Sequence, residues 1–457
     1  MEEVNDIQSQ LNSTQVHSVI VPESESDILQ ALKMAEELDL AISIAGGRHS
    51  MGGQQFGTGT ILLDMSEFKA VVHFDRENGL LTVESGLMWP ELIDYLHGEQ
   101  AGSSKTWAVR QKQTGVDNVS IGGSLSTNIH GRGLIFPPLI SDIESFTLVN
   151  HASQKLGCSR QENRELFSLA IGGYGLFGIV TQVTLRLVPR QVVKRRVEVI
   201  AVKNLLPNVE AAIEDGFLYG DCQYSVNLGG DEEFHPGVFS CYKPVDEEIP
   251  VPENSKHMSG SDWAAMYRMV RTDKEQAFSK YEQYYLGTSG QVYWSDSHQL
   301  SNVIEGYIEA VANANETEMI TEVYVTKENF IPFMKSVRQD FVQHKVDMTY
   351  GTIRFIEPDT ESFLAWARER CICIVCNLHV PHTCEGICKA QEDFRRIIDR
   401  VIEYDGCFYL TYHRWATRQQ VETCYPQFSE FLKLKLKYDP KERFQSDWYR
   451  HYSKLFS

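Results

Sequence analysis

Residues 45–54 have the sequence AGGRHSMGGQ, and they follow directly on an apolar strand predicted over Ala41–Ala45. The glycine pairs at 46–47 and 52–53 carry no side chains that would hold a ligand away from the backbone. Backbone N–H groups in such a turn can form a nest for a diphosphate. A glycine-rich turn alone is equally compatible with a tight turn that binds nothing. His49 adds a second feature, because a neutral imidazole is nucleophilic near pH 7.

Two further glycine-rich segments follow in the same part of the chain. Residues 115–132 have the sequence GVDNVSIGGSLSTNIHGR, and residues 166–180 have the sequence LFSLAIGGYGLFGIV. Small residues predominate in both, as expected where backbone approaches a ligand closely. Residues 166–180 alone are also compatible with a helix-to-strand connection that binds no ligand. Three such segments in this order favour one shared ligand site.

Together the three segments resemble the FAD-binding domain of the vanillyl-alcohol-oxidase family, which includes aldonolactone oxidases, alditol oxidases and cytokinin dehydrogenases. The resemblance implies an α+β fold in which residues 16–190 form a PCMH-type FAD-binding domain of two α+β subdomains. His49 matches the histidine that bonds the 8α carbon of FAD in this family. A hydrogen-bonded His49 over noncovalent FAD is the alternative. The residues implied to contact FAD are Ala45, Gly46, Gly47, Arg48, His49, Ser50, Gln54, Asn118, Gly122, Gly123, Ser126, Asn128, Gly131, Gly178, Ile179 and Val180.

The remainder of the chain is predicted to cover the flavin and to select the substrate. We expect a substrate domain over residues 191–430, with an antiparallel sheet flanked by helices, and a segment at 431–457 that returns to the FAD domain. Strands are predicted at Thr349–Phe355 and Ile372–Val380, with a helix at Thr360–Arg370 between them. The Pro- and acid-rich stretch Lys243–Ser255 is predicted to be a surface loop or lid.

Arg354 is the candidate for stabilising charge on the reduced flavin. It lies in the sequence GTIRF at 351–355, where aldonolactone and alditol oxidases carry a Glu-x-Arg pair. An arginine near N1 and C2=O would stabilise the anion that develops on the reduced ring. Thr352 replaces the glutamate of that pair, which distinguishes this chain from those enzymes. An exposed strand arginine is the alternative interpretation.

Three residues are candidates for proton transfer. The sequence GCFYLTYHR at 406–414 resembles the C-terminal strand of the decaprenylphosphoryl-ribose oxidases, in which a catalytic lysine stands at the position of Tyr412. Tyr412 or His413 could accept a substrate hydroxyl proton. His130 could face the flavin or the substrate pocket. Each of the three is equally compatible with a structural role.

Composition excludes several other classes of protein. The formal net charge is −19, with 62 acidic against 43 basic residues, which disfavours contact with nucleic acid. No uncharged apolar run approaches the roughly 18 residues that a membrane span needs. Residues 1–13 lack the basic start and apolar stretch of a secretory signal, and the ten cysteines are expected to be reduced, so a cytoplasmic location is predicted.

The sequence therefore predicts an FAD-dependent oxidoreductase. A CH–OH group of a sugar, sugar alcohol or aldonolactone would transfer hydride to flavin N5, and molecular oxygen or another acceptor would reoxidise the flavin. A flavoprotein reductase with a nicotinamide donor is one alternative, which the lack of a separate Gly-x-Gly-x-x-Gly strand-turn-helix unit weakens.

A zinc-stabilised interaction protein is the other alternative. The residues that suggest it are Cys371, Cys373, Cys376, His379, His382, Cys384 and Cys388. Against zinc, Cys373 and Cys376 point to opposite faces of the predicted strand, so no metal site is predicted.

Overall fold

The computed structural model describes residues 1–229, 235–246, 248–252, 255–301, 303–311 and 314–457. Helices and strands are mixed along this length, which confirms the α+β class. The strands are β1 (Glu2–Val4), β2 (Thr14–Val16), β3 (Ser18–Ile20), β4 (Ile42–Ala45), β5 (Ile61–Asp64), β6 (Val71–Asp75), β7 (Leu80–Glu84), β8 (Trp107–Ala108), β9 (Ile143–Val149), β10 (Lys155–Ser159), β11 (Ile179–Arg186), β12 (Val188–Pro189), β13 (Val192–Ala201), β14 (Tyr219–Tyr224), β15 (Pro236–Val245), β16 (Val292–Trp294), β17 (Glu316–Val325), β18 (Met348–Ile356), β19 (Cys371–Pro381) and β20 (Cys407–Phe408).

Helices lie between and after these strands along the chain. They are α1 (Glu25–Glu37), α2 (Trp89–Glu99), α3 (Ile121–Thr127), α4 (Arg164–Ala170), α5 (Leu205–Glu214), α6 (Gly260–Thr272), α7 (Lys274–Leu286), α8 (Val303–Val311), α9 (Lys327–Gln343), α10 (Cys384–Glu403), α11 (Arg418–Cys424), α12 (Phe428–Tyr438) and α13 (Asp447–Phe456). Within the described ranges, none of them combines the length and the apolar character that a membrane crossing requires.

The N-terminal part contains two small sheets. In the first, β3, β5 and β4 are parallel, and α1 covers them with a buried face that includes Ile28 and Leu32. Ser24 caps α1 through a capping box with Asp27, as the polar residues before the helix predict. The second sheet is antiparallel, in the order β10-β9-β11-β7-β6. The glycine-rich loop leaves the carboxyl end of β4, so the parallel sheet fixes where that loop begins.

The C-terminal part is built on one eight-stranded antiparallel sheet. Its order is β16-β13-β15-β14-β18-β19-β17-β20. Across the centre of the sheet, Arg354 on β18 pairs with Cys373 on β19, which pairs with Tyr324 on β17. Alternate residues of a strand share a face, so Glu322 on β17 faces the same side as Arg354. This sheet face supplies the charged side chains of the site described below.

Two predicted elements differ from the structure. Residues 360–370 form no helix, because the Asp359 carboxylate accepts hydrogen bonds from the N–H groups of Glu361 and Ser362 and holds the chain in a turn. The predicted loop at 243–255 begins late, since β15 continues to Val245, and its residues 247, 253 and 254 lie outside the described ranges.

The C-terminal segment packs against the N-terminal sheets. Phe444 forms a parallel bridge with Ile42, and the Asp447 carboxylate accepts a hydrogen bond from the Thr58 hydroxyl at 2.7 Å. Trp448 on α13 packs on Tyr174 with ring centroids 4.6 Å apart. The end of the chain therefore contributes to the core beneath the glycine-rich loops.

Candidate active site

A cavity of about 330 Å³ lies between the N-terminal sheets and the eight-stranded sheet. One wall is made of backbone-rich loops at residues 44–51, 113–123 and 174–180. The opposite wall is the face of the eight-stranded sheet that carries Arg354 and Glu322, together with α6, α7 and α8. A large cleft between two units, with a few convergent polar groups, is the usual setting for a cofactor and its substrate.

The loop at 45–50 is held in a conformation that presents His49 to this cavity. Arg48 adopts φ +56°, in the left-handed region that is uncommon for a residue other than glycine, and its guanidinium pairs with Asp64 at the end of β5. A Cβ on Gly47 would lie 2.1 Å from the Asn118 carbonyl oxygen. Glycine is therefore needed here because the first glycine-rich loop packs directly on the second.

His49 is half-buried, and its imidazole Nδ1 is shielded from solvent and has no hydrogen-bond partner in the described part of the chain. Burial lowers the pKa of His49 to about 4, so the ring is neutral at physiological pH. A neutral imidazole with a free nitrogen facing a cavity is suited to nucleophilic attack on a bound group. This unpaired buried atom marks the edge of the site on the N-terminal side.

The second glycine-rich segment forms the short helix α3. Ser120 caps the helix by accepting a hydrogen bond from the Gly123 N–H. Gly122 packs on Ser85, where a Cβ would lie 2.8 Å from the Ser85 Cβ. Gly123 and Ser126 line the cavity alongside Gly122. The segment thus presents backbone and small side chains to the space beneath His49.

Glu322, on the opposite wall, forms hydrogen bonds with three other side chains. Its Oε2 accepts hydrogen bonds from His130 Nε2 at 2.8 Å and from the Tyr324 hydroxyl at 3.1 Å, and its Oε1 accepts one from the Tyr412 hydroxyl at 2.6 Å. Burial alone would raise the pKa of Glu322, but the charge and hydrogen bond of His130, with Arg354 and Tyr412, lower it below its usual value. Glu322 is therefore a carboxylate.

Arg354 is 8% exposed and lines the same cavity. Its Nε atom is buried and has no hydrogen-bond partner in the described part of the chain. Burial lowers the pKa of Arg354, but the negative charge of Glu322 raises it above its usual value, so the guanidinium is charged. A buried charged donor without a partner is costly unless a ligand satisfies it.

Most of the sequence-predicted residues come together on the cavity wall. Those that line it are Ala45, Gly46, Gly47, Arg48, His49, Ser50, Gln54, Gly122, Gly123, Ser126, His130, Gly178, Val180, Arg354 and Tyr412. Those that do not are Asn118, Asn128, Gly131, Ile179 and His413.

The residues away from the wall have visible structural roles. Asn128 ends α3 and donates a hydrogen bond to Asp359, which ties the helix to the C-terminal part. The Gly131 N–H donates to the Gln111 side chain, and Ile179 packs in the core beside Val149.

His413, the second candidate base, lies off the cavity wall. Its ring stacks on Trp415 with centroids 4.4 Å apart, on a turn after the two-residue strand β20. Burial lowers the pKa of His413 to about 3, and Arg414 adds to this effect. Tyr412, in contrast, lines the cavity.

Sequence patterns did not reveal three polar residues that also line the cavity. Glu322 and Asp221 lie on β17 and β14, and no local pattern distinguishes them from other strand acids. Gln8 lines the cavity from the N-terminal segment, where its carbonyl oxygen accepts a hydrogen bond from the Tyr307 hydroxyl at 2.9 Å.

The cysteines and histidines at 371–388 do not converge. Cys373 points towards Glu322, whereas Cys376 points to the other face of β19, beside the Tyr224 hydroxyl. Cys384 and Cys388 are exposed on α10. Within the described ranges, Cys373 instead lies close to His130 and Glu322. Both the Cys373 thiol and the His130 ring form a hydrogen bond with the Glu322 carboxylate, which explains why the three side chains lie together.

The comparisons with known proteins agree with the geometry of the loop wall. Residues 16–156 match a family model described as an FAD binding domain. The chain therefore carries an FAD-binding domain, which is consistent with the resemblance to the vanillyl-alcohol-oxidase family. This domain contains the loops at 45–50 and 113–123, and it includes the unpaired His49 nitrogen. FAD fits the site because the backbone-lined wall can bind its diphosphate and the polar groups on the opposite wall can contact its ring.

Individual relatives are similar to this chain mainly in the FAD-binding domain. Cytokinin dehydrogenase 2 of Arabidopsis thaliana is 30% identical over 36% of this chain and 32% of its own length. L-gulonolactone oxidase of Mus musculus is 25% identical over 37% of each chain, so in such relatives the match spans little more than a third of the protein. L-gulono-1,4-lactone dehydrogenase of Mycobacterium tuberculosis is 21% identical over 95% of both chains.

Proposed function

We propose that this protein is an FAD-dependent oxidoreductase that oxidises a CH–OH group of a sugar, a sugar alcohol or an aldonolactone. The observation that carries the proposal is the placement of His49 and Arg354 on the walls of one cavity, each with a buried nitrogen that lacks a partner. A flavin bonded to His49 and contacted by Arg354 would satisfy both. Lactone enzymes among the relatives support this substrate class.

The loops of the FAD-binding domain would hold the cofactor, and His49 would be the residue that bonds to its 8α carbon. FAD supplies a two-electron acceptor that takes a hydride at N5. Arg354 contributes a fixed positive charge beside the ring, where negative charge develops as electrons arrive. Because the Arg354 side chain is buried against the sheet, it would not have to move when the flavin is reduced.

Tyr412 and Glu322 take the hydroxyl proton of the substrate. Burial and the charge of Glu322 raise the pKa of Tyr412 well above its usual value, so Tyr412 is a neutral phenol and not a phenolate base. Its oxygen can accept the substrate proton while its own proton passes along the 2.6 Å hydrogen bond to Glu322 Oε1. His130 holds the carboxylate in place from the other oxygen.

The covalent bond is tested by acid precipitation of the purified protein. The visible flavin spectrum should remain with the pellet, and the peptide that contains His49 should gain the mass of FAD. The variant His49→Asn should release all flavin to the supernatant, while His73→Asn, at an exposed histidine, should retain it. Flavin release from the unaltered protein would show that the cofactor is noncovalent. A protein that binds no flavin would contradict the whole proposal.

The oxidoreductase activity is tested by anaerobic bleaching of the flavin at about 450 nm with polyols, sugars and aldonolactones. Rapid bleaching by one of these donors supports the proposed function. Bleaching by a nicotinamide donor alone would contradict it in favour of a reductase. Reoxidation with oxygen and with an artificial acceptor then separates an oxidase from a dehydrogenase.

A further inference from the structure

The cavity extends well beyond the groups assigned to the oxidised carbon. Glu322 and Asp221 both line it, but they lie on β17 and β14, which are separated in the sheet by β19 and β18. Three interstrand spacings amount to ~14 Å. Cys222 pairs with Ile353, so the preceding residue Asp221 lies beside Arg354 on the same face. The cavity therefore runs from the Glu322–Tyr412 pair past Arg354 to Asp221.

Aromatic side chains surround the Asp221 end of the cavity. Trp263 and Tyr267 come from α6, Tyr281 and Tyr285 come from α7, and Tyr350 comes from β18. The Tyr281 and Tyr285 rings stack with centroids 4.2 Å apart, and the centroids of Trp263 and Tyr281 are 6.4 Å apart. We call these five residues the aromatic subsite. Their mutual packing fixes the rings in place before any ligand arrives.

Charged groups accompany these rings. Asp221 and Arg132 both line the cavity, and the Arg132 Nε atom is buried without a hydrogen-bond partner. A wholly apolar ligand at this end would remove water from both charged groups without replacing the lost hydrogen bonds, which is unfavourable. The ligand must therefore have ring faces for the aromatic side chains and hydroxyl groups for Asp221 and Arg132.

We propose that the aromatic subsite binds a second sugar ring, so that the substrate is a disaccharide or larger glycoside. This inference rests on the proposed function for the position of the oxidised carbon. A sugar ring offers positively polarised C–H groups to the negative faces of aromatic rings, and its hydroxyl groups form hydrogen bonds at the rim. A monosaccharide at the Tyr412 end would leave the aromatic subsite unfilled.

The test compares D-glucose with maltose, cellobiose and lactose, which extend glucose by one ring, and with 4-O-benzylglucose, which extends it by an aromatic ring. With the holoenzyme, kcat/KM for the best disaccharide should exceed that for glucose by about tenfold or more. The variant Trp263→Leu should remove this preference by lowering kcat/KM for the disaccharide about tenfold. Tyr284→Leu, on α7 but outside the cavity wall, should change neither value.

Equal kcat/KM for glucose and the disaccharides would overturn the inference, as would an equal loss for both in Trp263→Leu. A benzyl ether as good as the best disaccharide would assign the subsite to aryl groups instead, which also overturns it. If no CH–OH donor reduces the flavin, the proposed function itself fails. In that case, saturable quenching of tryptophan fluorescence by a disaccharide, abolished in Trp263→Leu, would still support the subsite, and its absence would overturn it.

Discussion

The Tyr412 hydroxyl donates a 2.6 Å hydrogen bond to Glu322, a residue 90 positions earlier in the chain. Tyr412 lies on a turn after β20, and Glu322 lies within β17, which is the strand that β20 pairs with. The pairing of these strands therefore brings a phenol and a carboxylate together at the cavity wall. Thr352, on β18, has no carboxylate, so Glu322 on β17 is the nearby acid on this face of the sheet.

Tyr412→Phe should separate the substrate hydroxyl from Glu322. We expect the rate of anaerobic flavin reduction to fall by about 10²-fold with little change in substrate binding, because only the proton relay is lost. Stopped-flow absorbance measures this rate. The matched control is Tyr404→Phe, at a tyrosine that packs on Phe333 and does not line the cavity. An unchanged reduction rate in Tyr412→Phe would remove this residue from the mechanism.

Arg354→Met should remove the positive charge beside the flavin. We expect a lower flavin midpoint potential and a reduction rate lower by about 10²-fold, because negative charge on the reduced ring is no longer stabilised. Arg354→Lys should recover part of the potential, since it keeps the charge but loses the planar fork. Arg370→Met, at an exposed arginine paired with Glu357, should behave like the unaltered protein. A midpoint potential that stays constant in Arg354→Met would place Arg354 away from the ring.

Gly47→Ala should disrupt the contact between the two glycine-rich loops. Its Cβ would lie 2.1 Å from the Asn118 carbonyl oxygen, and a backbone atom cannot rotate away. We expect loss of bound flavin and a lower melting temperature. Gly98→Ala is the control, because a Cβ at this exposed helical position meets nothing within 4 Å and should stabilise the protein by up to ~1 kcal/mol. Full flavin content in Gly47→Ala would show that the loops can separate without loss of the site.

His413 should make the stability of the protein depend on pH. Its folded pKa of about 3 lies below the ordinary value of 6.5, so the unfolded chain binds a proton that the folded protein does not. The free energy of unfolding should therefore fall as the pH drops from about 6.5 towards 3, by ~1.4 kcal/mol per pH unit from this residue. His413→Gln should reduce that slope in urea titrations, and His73→Gln should not. An unaltered slope in His413→Gln would show that His413 is protonated in the folded protein.

Local patterns in the sequence were enough to predict the FAD-binding domain and the α+β class. Its signals are local: a strand that ends at Ala45, a glycine-rich loop that follows it, and two more glycine-rich segments in a fixed order. The glycines at 46 and 47 were predicted for contact with a diphosphate, and the structure shows an added reason, which is the packing of the loops on Ser120 and Asn118. Arg354 was also identifiable, since it lies in a short motif on a strand.

Which groups share the cavity with those loops depends on the tertiary fold. Glu322, Asp221 and the aromatic subsite come from separate strands and helices, and nothing near each residue distinguishes it from ordinary strand or helix positions. Strand order in the eight-stranded sheet brings them to one face, and strand order depends on long-range pairing that local patterns do not encode. The same reason explains His413, whose neighbour Tyr412 faces the cavity while its own ring stacks on Trp415.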